Sequence, residues 1–127
     1  MRVPWTVVLG PPVRSLIGGA RLSTKRFRPS DSAPALLELR AGRLVDHGGL
    51  SEVLPVSHLD LELWRGDQRL GRLARLRNLL PGRYTFGLTG RGPGGRRLDP
   101  GRYRLQLVAY PPGDSPASRQ NVEFEIR

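Results

Sequence analysis

Cysteine is absent from this 127-residue sequence, which removes disulfides, thiolate metal centres, iron–sulfur clusters and thiol nucleophiles together. Redox compartment leaves no mark on such a chain. Lysine is nearly absent too: of 21 cationic residues only Lys25 is lysine, and acidic residues number 11, so arginine carries a formal net charge of +10. Arginine beside abundant glycine, proline, alanine and leucine is what a GC-rich coding sequence supplies, so the bias alone defines no ligand. Aromatics make up 6 % of the chain and form no signature of an RNA-stacking sheet, while the arginines are scattered through every segment. Nucleic acid is therefore disfavoured as a partner. Long apolar runs are missing as well: none approaches the ~20 residues that span a bilayer. The apolar stretch from Trp5 to Leu9 is shorter than the ~7–15 residues of a signal-peptide core, and Pro11-Pro12 breaks it. Residues 1–19 read instead as a linker or strand continuing from an upstream region.

What is present is punctuation. Sixteen glycines and twelve prolines fall between regularly spaced apolar runs, which is the pattern of strands and turns and not of disorder. The segment LPGRYTF at residues 80–86 returns as DPGRYRL at residues 99–105, each copy setting a Pro-Gly turn before an aromatic-led alternating strand. Tyr84, Phe86 and Leu88 share one face of the first; Tyr103, Leu105, Leu107 and Ala109 share one face of the second. The two strands are expected to pair through a glycine-rich hairpin at residues 90–97.

Elsewhere, residues 58–64 alternate without fault and place Leu59, Leu61 and Leu63 on one face, with a hairpin turn after them. Residues 69–80 carry leucine at 70, 73, 76 and 80, a helical spacing, yet Gly71 and the flanking strands favour one strand descending into a loop. Residues 20–23 begin a short strand that a turn at 28–32 ends. Residues 35–45 read as a strand with a bulge at Ala41-Gly42, residues 46–50 as a loop, and Val122, Phe124 and Ile126 as a closing strand. The sum is an all-β domain over residues 20–127, an immunoglobulin-like β-sandwich of about seven antiparallel strands.

The series LDLELW, then LLPGRYTFGLTGRGPGGRRLDPGRYRLQLVAY, resembles the FlgD-type Ig-like domain of flagellar hook-capping proteins, a module that recurs at the C-termini of secreted bacterial proteins. Gly66-Asp67 matches its hairpin turn, Gly90 its small turn after the first Pro-Gly-x-Tyr strand, and Ala109-Tyr110 the end of the second. Phe27, Pro29 and Asp31 match its opening. Where that family carries Trp-Asp-Gly, this chain has Leu88-Thr89-Gly90. The resemblance implies a non-catalytic spacer or interaction module of a larger exported protein, located outside the cell or at its surface, whose first partner is an upstream domain of the same polypeptide.

The residues themselves favour no reaction and no cofactor. His58 and Asp60 share a strand face, but no third group stands at a metal-ligand spacing, and polar residues at i and i+2 are expected simply to face solvent. His47 falls in a loop. Ser57-His58 near Asp60 lacks the converging segments and oxyanion hole of a triad. The run GRGPGG joins two strands and contains no lysine, so it is not a phosphate loop. Its Arg91, Arg96 and Arg97 nevertheless form the most cationic local feature and are the candidate contact for an anionic cell-surface polymer. Trp5 and Trp64 could stack on sugar, though Trp64 at a strand end suits a core edge or interface. Tyr84 and Tyr103 suit tyrosine corners, in which the hydroxyl bonds back to upstream backbone.

Overall fold

Alternation sets the backbone. In the segment 35–41, Ala35, Leu37, Leu39 and Ala41 are buried while Leu36, Glu38 and Arg40 are exposed, the period of a half-buried strand and of nothing else. The computed structural model describes residues 15–127, and among these lie ten strands and no helix: β1 (Ile17–Leu22), β2 (Arg26–Phe27), β3 (Ala35–Ala41), β4 (Arg43–His47), β5 (Leu50–Leu54), β6 (Val56–Arg65), β7 (Gln68–Leu79), β8 (Gly82–Leu88), β9 (Gly101–Tyr110) and β10 (Ser118–Ile126). The expected strand or linker at PWTVVLG lies outside the described residues. β1 itself starts inside the stretch read as linker.

Three sheets result. One has the order β1-β3-β8, a second β2-β10-β9-β6-β7, and β4 with β5 makes a separate ribbon. All pairings are antiparallel except β2 on β10. A single apolar cluster joins the first two sheets, drawing Leu37 and Leu39 from one and Leu59, Leu63, Leu105, Leu107 and Ile126 from the other. Residues 35–45 are not one bulged strand. At Gly42 the chain leaves the first sheet and starts the ribbon, whose turn is Gly48-Gly49, so residues expected as a loop are largely strand.

The two Pro-Gly-Arg-Tyr strands are not neighbours. β8 pairs with β3, and β9 pairs with β10 and β6, so residues 89–100 cross between sheets instead of forming a hairpin between paired strands. What the two copies share is a lock at the entrance. Tyr84 donates its hydroxyl to the Leu80 carbonyl at 2.6 Å, and Tyr103 donates to the Asp99 carbonyl at 2.7 Å. In each copy the acceptor stands four residues back, which is what the intervening Pro-Gly turn makes reachable. Tyr103 is buried and has the Arg65 guanidinium 5.2 Å above its ring.

The leucine spacing of residues 69–80 has a strand explanation. Against β6 the register of β7 slips twice, between Leu61/Glu62 and between Leu63/Trp64. Each slip sets two residues of β7 opposite one of β6, so inward leucines recur every three positions where an unbroken strand would repeat every two. Arg69, Arg72, Arg75 and Arg77 meanwhile pair with Trp64, Glu62, Asp60 and His58, all on the face opposite Leu59, Leu61 and Leu63. Two bulges thus imitate a helical period without any helix.

Candidate functional site

β7 is the edge of the five-stranded sheet, and its two faces differ sharply. Outward, its four arginines form a ladder beside the polar face of β6. Two are engaged: Arg75 binds Asp60 through Nε–Oδ1 at 2.7 Å and Nη2–Oδ2 at 2.8 Å, and Arg69 donates to Glu62 at 3.2 Å. Arg77 forms no ion pair among the described residues and Arg72 touches Asp60 only through its field. Asp60 does not face solvent as expected. Its side chain is 3 % exposed, enclosed beside the buried Val108 that pairs with it from β9. Nothing in the alternation of residues 58–64 announces this, because burial on that face comes from the neighbouring strands.

The Asp60 carboxyl is held below the usual aspartate value by the two hydrogen bonds from Arg75, which outweigh the opposing push of burial. A folded-state pKa below the unfolded one stabilises the protein fully above pH about 4, and the contribution fades as pH falls through the folded value. Stability is therefore expected to hold level from pH about 7 to 5 and to drop below about 4, with a shallower acid limb in Asp60→Asn. Urea midpoints of both proteins across that range check the sign. An unchanged acid limb in the variant removes Asp60 from the explanation.

His58 stacks on Tyr110 with ring centroids 4.2 Å apart, a cross-strand pair that occupies its ring. Trp64 lies half-buried under Arg104, whose guanidinium carbon is 5.1 Å from the ring centroid. The indole Nε1 and the Arg104 Nε are enclosed there without hydrogen-bond partners, and the guanidinium occupies one face of the ring. Trp5 lies outside the described residues. Among the described residues no three His, Cys, Asp or Glu side chains gather as metal ligands.

The three arginines of the glycine-rich loop have separate duties. Arg91 binds Asp31 with both ends of its guanidinium, at 3.0 and 2.9 Å, and donates to the Gly95 carbonyl at 2.9 Å. That pair draws the Asp31 carboxyl below its usual range. The loop is further closed by Gly92 N–H to Arg96 O at 2.8 Å and Leu98 N–H to Gly90 O at 2.9 Å, and it is joined to the upstream turn by Ser30 N–H to Thr89 O at 2.8 Å. Arg91 is thus a clamp, while Arg96 and Arg97 are exposed on the returning arm of the loop, Arg97 directly opposite Arg91. Gly90 sits so close to Pro29 that a Cβ there would meet the proline Cα at 2.8 Å.

Inward, β7 borders a cleft of about 500 Å³. Leu73 and Leu76 stand on its β7 side and residues Thr85–Leu88 of β8 on the other. Leu61 and Phe124 line it from the five-stranded sheet, and Gly90–Gly92 with Leu98 close one end. No spacing in the sequence marks this place, since it is assembled from strands of two sheets whose partners were not legible. Comparison of the chain with protein-family models, with curated proteins and with solved structures finds no match in any of the three.

Proposed function

We propose that the chain is an immunoglobulin-like β-sandwich of the FlgD-type pattern, serving as a non-catalytic spacer or interaction module of a larger exported bacterial protein. The observation that carries this reading is the pair of tyrosine locks. Tyr84 and Tyr103 open strands in different sheets with the same bond to a carbonyl four residues back, a corner device that Ig-like sandwiches use. The polar chemistry supports it as well, because Asp60, Arg75, Asp31 and Arg91 are spent in pairs that hold strands and loops together. A spacer must resist bending, and two sheets sharing one apolar cluster provide a rigid body where a flexible linker of equal length behaves as a random coil.

The test places the full chain between two fluorescent reporter domains. The transfer efficiency is expected to report one narrow distance that survives until the chain unfolds cooperatively in urea. A distribution as broad as that of a Gly-Ser linker of equal length overturns the spacer reading.

A further inference from the structure

Four strands end the two main sheets, and three of them carry a device against addition of another strand. β1 has a register shift between Gly18 and Arg21, and its side is stitched to β10 by Leu16 N–H to Ser118 Oγ at 3.0 Å and Ala20 N–H to Gln120 Oε1 at 3.3 Å. β2 is two residues long. β7 is twice bulged, lined with arginine, and overlaid at Gly71 by Pro93, whose Cγ stands 2.8 Å from where a Cβ would be. β8 carries less: its register is unbroken, its one charged residue is Arg83, and only near its end does Pro34 stand over Gly87, with its Cγ 3.1 Å from where a Cβ would be. All seven of its residues pair with β3, no strand among the described residues pairs with its other side, and its outward residues are Arg83, Thr85 and Gly87.

Beside that edge the described residues form a cleft lined mainly by apolar side chains. A sheet of three strands cannot cover one of five, and at the uncovered side Leu73 and Leu76 border the cleft with Phe86, over Leu61 and Phe124. We propose that the β8 edge accepts an extended segment of a partner protein, alternating apolar and acidic residues, as a fourth strand of the β1-β3-β8 sheet. Main-chain bonds to an open edge give such a complex its affinity, and alternate side chains give it specificity. Inward side chains of the added strand enter the cleft and must be apolar. Outward ones lie beside Arg83, which forms no ion pair among the described residues, on a chain of net charge +10 that repels basic segments. A second copy of this chain is the wrong occupant. It brings the same charge, and its own β8 already turns Tyr84, Phe86 and Leu88 into its own core.

This assignment names a partner for the interaction role proposed above. It can fail while the spacer role stands, because the reporter experiment contains no partner. The full chain is titrated with two blocked peptides of about eight residues, one alternating Val and Glu and one alternating Val and Lys, while backbone amide exchange is followed. The Val-Glu peptide is expected to bind saturably and to slow exchange along β8, with the Val-Lys peptide at least about tenfold weaker. Leu73→Ala in the cleft and Arg83→Glu on the surface are each expected to weaken it about tenfold, the surface variant keeping the parent's urea midpoint. Equal affinity for both peptides, or protection at β1 or β7 in place of β8, overturns the proposal. So does binding of heparin by a chain that leaves the Val-Glu peptide free, which assigns the basic surface to a polyanion.

Discussion

Replacing Gly42 by valine is expected to lower stability by roughly 3 kcal/mol or more, because two independent penalties coincide there. The backbone at Gly42 has φ 73°, a left-handed conformation in which a branched side chain collides with its own carbonyl. The position is also closed. A Cβ would lie 2.8 Å from Pro81 Cα, 2.9 Å from the Leu54 carbonyl oxygen and 3.1 Å from Pro81 N. All three are backbone atoms, so no rotamer can relieve the contact. The crowding follows from topology: at Gly42 the chain passes from β3 into the ribbon, and both the return of the ribbon at Leu54 and the turn before β8 at Pro81 come to the same point. Gly48 is the control. Its φ is 58°, yet nothing stands within 4 Å of a Cβ there, so Gly48→Val carries only the conformational cost of roughly 1–2 kcal/mol. Urea unfolding of the two variants separates the terms, and equal losses would sink the steric argument.

How much of this was legible from residues alone depends on where each feature gets its cause. The strand at β6 was plain, since Leu59, Leu61 and Leu63 alternate against His58, Asp60 and Glu62 and the period is local. The corners were legible too, because Leu80 to Tyr84 and Asp99 to Tyr103 each hold donor, turn and acceptor within five residues. Sheet membership was not. Similar entrances at β8 and β9 suggested pairing, yet what assigns β8 to β3 is the matching of Ala35, Leu37, Leu39 and Ala41 across distant sequence. Asp60 shows the same limit on a smaller scale: its own strand predicts exposure, and Arg75 and Val108 on adjacent strands bury it. The candidate cleft was invisible for the same reason. Leu73, Phe86 and Phe124 meet there only because three strands of two sheets end up around one space, and the bulges that turn Leu73 inward also disguised β7 as a helix.

Leu107→Ala is expected to cost about 2–5 kcal/mol, while Leu73→Ala costs about 1 kcal/mol or less. Leu107 lies in β9, which is flanked on both sides by β10 and β6, opposite Gln120 and Leu61. Its exposure is 0 %, and with a strand hydrogen-bonded on either side the backbone cannot move inward to fill the volume a truncation leaves. Both the lost transfer energy and the cavity then count against the variant. Leu73 is half-buried on a bulged edge strand and already borders open space, so truncation enlarges a cleft that solvent can enter and creates no sealed void. The asymmetry follows from layout: two leucines facing the same interior differ because one lies at the centre of the wider sheet and the other beyond the reach of the narrower one. Thermal and urea unfolding of both variants measure it directly. A Leu73→Ala loss as large as that of Leu107→Ala would mean that the cleft is closed in solution, and it would remove the space on which docking at β8 depends.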